Sequence, residues 1–250
     1  MLPVTEFLTF AAVGALAQLI DGALGMAYGI TASSMLLALG LPPLLASAHV
    51  HYAETFTCGA SGLSHLAAGN VRRRLFWALA IPGVIGAVLG VLVLSYIPAT
   101  WMRLALVPYL LGVGVCLLLR GRRRTGQHDD HVPSAARPLG LLAGFADAVA
   151  GGGWSAITVT TLMARGATPR LVIGTVHLAK CVVSAAASIG FLLNVGASHG
   201  AAVLGLIAGG VVAAPFGALL TRLLPPRAAT LLAATTVLGL GLHGVAQALR

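Results

Sequence analysis

Asp21, Glu54 and Asp147 are three of the six acidic residues of the chain, and each stands inside a long uncharged stretch, as does the only lysine, Lys180. In a bilayer each such charge costs on the order of 2.5–3.5 kcal/mol, so each requires a counter-charge, a hydrogen-bonding cage or a role in transport. His51-x-x-Glu54 and His177-x-x-Lys180 are i, i+3 pairs, which places each pair on one face of a helix. The corresponding positions carry opposite charges. Two uses follow: Glu54 and Lys180 form a structural ion pair, or Lys180 is left to recognise an anion. His51 and His177 have the chemistry to shuttle protons near neutral pH, and equally to serve as hydrogen-bonded interface residues.

Asp21 and Asp147 each precede a glycine-broken segment: Asp21-Gly-Ala-Leu-Gly25-Met-Ala-Tyr28-Gly29-Ile-Thr31-Ala-Ser33-Ser34, and Asp147-Ala-Val-Ala-Gly151-Gly152-Gly153-Trp154-Ser155-Ala-Ile-Thr158. A helix restarting after such a break offers free N–H groups and a positive dipole end, which suits an anion. The candidate substrate-binding set is therefore Gly25, Tyr28, Gly29, Thr31, Ser33, Gly151, Gly152, Gly153, Trp154 and Ser155, with His51, His177 and Lys180. Asp21, Glu54 and Asp147 are coupling or structural residues; capping the restarted helix is the structural role for the two aspartates. The competing explanation for the glycines is close helix packing, the usual use of small residues in membranes.

The elements that must position these residues are transmembrane helices. The 250 residues are 58% hydrophobic and 8% charged, whereas soluble domains carry roughly a quarter charged residues. That excludes a soluble enzyme or nucleic-acid-binding domain, and the continuous apolar blocks lack the alternation of a β-barrel. The formal charge of +9 comes mainly from arginines between apolar blocks, where they act as topology signals. Cys58, Cys116 and Cys181 lie far apart with no metal-ligand spacing, and no phosphate-binding G-x-x-x-x-G-K-[ST] motif is present, so neither a metal, another cofactor nor ATP hydrolysis is expected. The first 30 residues contain no Lys or Arg and no evident cleavage site, so no removable signal peptide is expected.

The chain repeats itself. A shift of 126 residues aligns Asp21 with Asp147, Gly25 with Gly151, Gly40 with Gly166, Pro43 with Pro169, and Val50-His51 with Val176-His177. Residues 1–119 form an N-terminal repeat, 120–138 a basic linker, and 139–250 a C-terminal repeat. Each repeat contains a glycine-broken segment, 7–40 or 139–166, followed by three expected spans: 43–66, 75–97 and 103–119, then 170–193, 200–222 and 227–249. If both broken segments are re-entrant hairpins, Arg72, Arg73, Arg74, the linker arginines, Arg165, Arg170, Arg222 and Arg227 share one side, against Arg103 and Arg250 on the other. By the positive-inside rule the linker is cytoplasmic and both termini are outside. An odd number of crossings per repeat makes the repeats inverted, an architecture of secondary transporters. The expected fold is an all-α polytopic membrane protein in which each inverted repeat combines a re-entrant hairpin with three transmembrane helices.

Gly59-Ala60-Ser61-Gly62 with His65 is similar to the nucleophile motif of rhomboid intramembrane proteases, but the match is four residues long and leaves the duplication unexplained. Far more of the chain resembles the sulfite exporter family TauE/SafE. The resemblance is carried by Gln18-x-x-Asp21-Gly22-x-x-Gly25-Met26-x-Tyr28-Gly29, Pro43 to Ser47, Val50-His51-x-Ala53-Glu54 and Ser61-Gly62-x-Ser64-His65-x-x-x-Gly69-Asn70-Val71. It implies transport of sulfite, an organosulfonate or a related sulfur-containing anion across the bacterial inner membrane. Residue patterns alone reach a secondary transporter with an anion-friendly centre, working by alternating access. The partners expected are the lipid bilayer, a small anion and protons as the coupling ion, with an anion channel or uniporter as the alternative.

Overall fold

The computed structural model describes residues 3–24, 26, 28–97, 108, 111, 112, 115, 118, 119, 135–165, 167, 169–196, 200–223, 235, 238, 239 and 242. The elements among them are α1 (Pro3–Leu24), α2 (Tyr28–Ala38), α3 (Pro43–Ala67), α4 (Arg73–Tyr96), α5 (Ala136–Ala150), α6 (Trp154–Ala164), α7 (Pro169–Val195) and α8 (Gly200–Leu223). No strand occurs among the described residues. The expected spans 103–119 and 227–249 fall largely outside them, as do most of the linker and both chain ends.

Among the described residues, three segments are long and apolar enough to cross a membrane: Val4–Asp21, Arg73–Tyr96 and Leu171–Val195. The first differs from expectation. At 22 residues, α1 is about 33 Å long at 1.5 Å per residue, as long as the hydrocarbon is thick, so the first broken segment opens with a full-length helix. Gly22 lies within it, so the first break begins only after Leu24. In the second repeat the corresponding helix α5 has 15 residues, starting at Ala136 inside the segment read as linker. Pro138 is tolerated there because a first-turn residue has no intrahelical N–H bond to lose. Helix α3 covers the expected span 43–66 but lies outside the three apolar segments, because its inner face carries Ser47, His49, His51, Glu54 and Thr57.

Side chains are distributed the reverse of the usual soluble pattern. Asp21, His51, Glu54, Asp147, His177 and Lys180 are buried, while Trp77, Ile81, Ile85, Leu92, Leu193, Val212 and Phe216 are exposed on the outer faces. Ionisable groups inside and large apolar groups outside are what a lipid solvent selects.

The most extensive packing is α1 on α8, α4 on α5 and α3 on α7. Under the sequence repeat the first two pairs exchange and the third maps onto itself. Each repeat thus packs its first helix against the other's last described long helix. Glycine makes these approaches close. A Cβ at Gly86 would lie 2.9 Å from the Phe145 backbone nitrogen and closer still to the Leu141 carbonyl, and one at Gly209 would strike the Ala11 backbone. Lipid tails provide little hydrophobic drive between helices, so this backbone-to-backbone packing carries much of the association.

Gly86→Ala is therefore expected to lower the melting temperature of the detergent-solubilised protein, by an overpacking cost of about 1–3 kcal/mol. Gly59→Ala, whose Cβ would meet only Cys181 Sγ at 3.4 Å, is expected to melt like the wild type. Equal melting of the two variants would contradict the glycine-mediated α4–α5 contact.

Candidate functional site

The two glycine breaks are built alike. Asp21 Oδ1 accepts a hydrogen bond from the Tyr28 N–H at 3.0 Å, and Asp147 Oδ1 accepts one from the Trp154 N–H at 2.8 Å. Both bridges span seven residues. Each aspartate near the end of one helix thus caps the first residue of the next, satisfying an N–H that has no intrahelical partner. In the second break Gly151 has φ 69° and caps α5 by bonding back to the Asp147 carbonyl, while Gly152 and Gly153 have φ 157° and 139°. A side chain at these positions would be strained, which accounts for the glycine triplet. Gly25, the corresponding residue of the first break, lies outside the described residues.

The breaks meet backbone to backbone. A Cβ on Gly29 would lie 2.7 Å from Gly152 Cα and 2.6 Å from Glu54 Oε1. Ser33 of α2 donates its hydroxyl to the Gly151 carbonyl, and Ser47 of α3 donates to the Ala148 carbonyl at 2.5 Å. Thr31 and Ser34, also on α2, are buried with no hydrogen-bond partner for their hydroxyls. Ser155 and Thr158 are buried on α6, where Thr158 bonds back to the Trp154 carbonyl at 2.6 Å. Trp154 is fully buried and donates its indole N–H to the Val176 carbonyl at 3.1 Å; Tyr28, its repeat counterpart, reaches the Leu206 carbonyl at 3.5 Å. The Tyr28 ring is thus anchored to the other repeat, the Trp154 indole to the following helix of its own.

Beside this crossing lie the charges. Lys180 Nζ is 2.5 Å from Glu54 Oε1, both side chains being at most 3% exposed, and Ser184 donates to Glu54 Oε2 at 3.3 Å. The two charged residues are separated by 126 positions, the repeat shift itself. The same offset recurs one residue on, where Cys181 Sγ lies 3.6 Å from the Thr55 carbonyl. α3 and α7 therefore pack with positions related by the repeat shift in direct contact.

His51 faces Asp147 across the repeats, Nε2 to Oδ2 at 3.3 Å, while its Nδ1 is 2.8 Å from the Ser47 carbonyl oxygen. A carbonyl only accepts, so Nδ1 carries hydrogen; a second hydrogen on Nε2 turns the Asp147 contact into an ion pair. His177 does not mirror this. Its Nδ1 is 3.0 Å from Ser61 Oγ, and its ring lies edge-on to His65, with ring centres 5.9 Å apart. The two histidines at equivalent positions thus have different partners, one at the centre and one beside Ser61.

Sequence alone assigns no role to Ser184, nor to Ser47 beyond its place at the end of the Pro43 to Ser47 stretch. Each lies four residues from a charged or titratable candidate, Ser47 from His51 and Ser184 from Lys180. A hydroxyl at i±4 on the same helical face was the available signal.

Asp147→Ala removes the Trp154 cap and leaves His51 without its carboxylate. It is expected to destabilise the protein by more than the about 1 kcal/mol of an ordinary cap. Asp21→Ala, which removes the equivalent cap on Tyr28 alone, is expected to cost less, measured by thermal melting in detergent. The reverse order would contradict the assigned geometry.

The family model described as sulfite exporter TauE/SafE matches residues 10–244. The chain is similar to the probable membrane transporter protein YtnM of Bacillus subtilis (strain 168), with 42% identity over 230 residues, covering 89% of this chain and 77% of that protein. No solved structure matches. The duplicated glycine breaks, the buried charges and the lipid-compatible exterior agree with that match: the chain is a membrane transporter and belongs to the sulfite exporter TauE/SafE family.

Proposed function

We propose that this transporter moves a small sulfur-containing anion, sulfite or an organosulfonate, outward across the bacterial inner membrane by alternating access between two inverted repeats. The observation that carries the reading is Lys180, the only lysine of the chain, buried where α3 and α7 meet and beside the start of α2. An oxyanion there would meet the ammonium, the early N–H groups of α2, and hydroxyls such as Thr31. The central site comprises Tyr28, Gly29, Thr31, Ser33, Gly151 to Gly153, Trp154, Ser155, His51 and Lys180; His177 lies beside Ser61, and Gly25, outside the described residues, is assigned to the site by its sequence position. The exchange of packing partners between repeats supports a rocking of one repeat against the other about this crossing. With the linker in the cytosol and both termini outside, the arginine distribution obeys the positive-inside rule. Proton coupling runs through the buried acids, which distinguishes the protein from a uniporter or channel, and the anion's own outward gradient sets the direction of net transport.

The Ser61–His177 contact at 3.0 Å is the geometry a serine nucleophile and its base would need, and it gives a second, hydrolytic reading some footing. Transport is favoured because the family match, the duplication and the central charge pair are all outside the scope of that dyad.

Wild-type protein in liposomes is expected to take up labelled sulfite and small organosulfonates saturably, and faster under an imposed proton gradient. Removing Lys180 alone would strand Glu54, at about 3–5 kcal/mol, so the informative variant is the charge-neutral Glu54→Gln/Lys180→Gln. It is expected to lose about tenfold to a hundredfold in affinity, the worth of a charge-assisted hydrogen bond, whereas Arg72→Ala keeps near-wild-type uptake. Equal losses would remove Lys180 from the site. Ser61→Ala is expected to transport normally; loss of a peptide-cleaving activity in that variant, with no anion flux in either protein, would favour the dyad.

A further inference from the structure

The Glu54 carboxylate occupies a position with every feature an incoming anion would want. Its Oε1 receives the Lys180 ammonium at 2.5 Å, its Oε2 receives the Ser184 hydroxyl at 3.3 Å, and Gly29 in the first turn of α2 abuts Oε1 so closely that a Cβ would lie 2.6 Å from it. Building on the anion-transport reading above, we infer that Glu54 is a resident stand-in for the transported anion. It yields Lys180 only by taking up a proton, so one H⁺ enters the site with each anion.

Charge balance in a dry centre forces the exchange. The groups facing Glu54 are Lys180 and Ser184 of α7, Asp147 of α5, Tyr28 of α2, and His51 and Cys58 of its own helix. The described stretch Gly200–Ala214 of α8 contains no titratable side chain. With His51 carrying hydrogen on both ring nitrogens against Asp147, Lys180 balances Glu54 and His51 balances Asp147, while the buried Asp21 carboxylate caps α2 at Tyr28, so the set holds no surplus positive charge for an anion. An anion added to the intact set leaves one uncompensated negative charge where Glu54, Asp147 and His51 are fully buried, an arrangement a low-dielectric interior penalises by several kcal/mol. Neutralising Glu54 removes that penalty.

The step balances in protons and charge. A proton from the aqueous side adds to a Glu54 carboxylate oxygen, Lys180 Nζ leaves Oε1 and turns its N–H groups to the anion, and no other group changes charge. On release the anion departs, the proton dissociates from Glu54, and the ion pair re-forms. The His51–Asp147 contact does not take part, because the carboxylate it neutralises is the one that caps α6 at Trp154. The repeat relationship explains why the stand-in is covalent: Glu54 and Lys180 are equivalents held in contact by the crossing of α3 and α7, so the empty carrier has its counter-ion in place.

The test measures proton uptake when methanesulfonate, which does not titrate near neutral pH, binds to purified wild-type protein in weakly buffered detergent solution. The expected result is about one proton taken up per anion bound, with affinity weakening about tenfold for each pH unit of increase. Glu54→Gln is expected to bind methanesulfonate without proton uptake and with pH-independent affinity. Binding to wild type without proton uptake overturns the exchange and leaves anion transport standing. Uptake that persists in Glu54→Gln overturns the assignment to Glu54. If neither methanesulfonate nor sulfite binds the wild type, the exchange falls together with the anion reading. The wild-type measurement decides between these outcomes even if the variant does not fold.

Discussion

When a duplicated chain folds so that a residue touches its own duplicate, the two cannot keep the same charge. Glu54 and Lys180 meet in this way, 126 residues apart and 2.5 Å from each other. Two glutamates there would repel in a medium that screens little, and two lysines likewise; an opposite pair is self-neutralising. Much of the centre follows from accommodating that pair. Gly29 has no side chain because Glu54 Oε1 and Gly152 occupy the space, and Ser184 satisfies the second carboxylate oxygen. The outer faces are left to apolar residues such as Trp77, Ile85 and Leu193.

Around this pair the halves keep their common design where it is structural and depart from it where it is chemical. The caps Asp21 to Tyr28 and Asp147 to Trp154 are the same device at the same spacing. So is the packing of each half's first helix on the other half's α4 or α8. The histidines diverge. His51 is locked between the Ser47 carbonyl and Asp147, whereas His177 turns to Ser61. The result is a repeated scaffold around a centre whose polar residues are not repeated.

Much of this was legible from residue types and spacing. The glycine breaks, the duplication and the opposite charges at Glu54 and Lys180 follow from the chain alone, because polar residues in apolar stretches are costly enough to stand out. The helices α3, α4, α7 and α8 lie within a few residues of the spans read from hydropathy. The extent of α1 was not legible: Gly22 reads as a breaker, yet the helix runs through it to Leu24, since one glycine costs only about 1 kcal/mol and the α1–α8 contact offsets it. Nor was the choice between a paired and a free Lys180, or the separation of His51 from His177, because sequence spacing fixes which residues share a helical face but not how two faces are rotated against each other. Ser61 illustrates the same limit, its contact with His177 arising from α3 and α7 packing rather than from the short motif around it.

The central claim is that one anion binds between Lys180 and the start of α2. It is tested most directly by crystals grown with selenite, a heavier analogue of sulfite whose selenium can be located by anomalous scattering. The account predicts a single selenium peak within hydrogen-bonding distance of the Lys180 ammonium and beside the Tyr28–Gly29 backbone, with Glu54 displaced from Lys180. A peak only at the surface arginines Arg72 to Arg74, with the Glu54–Lys180 pair intact, would contradict it.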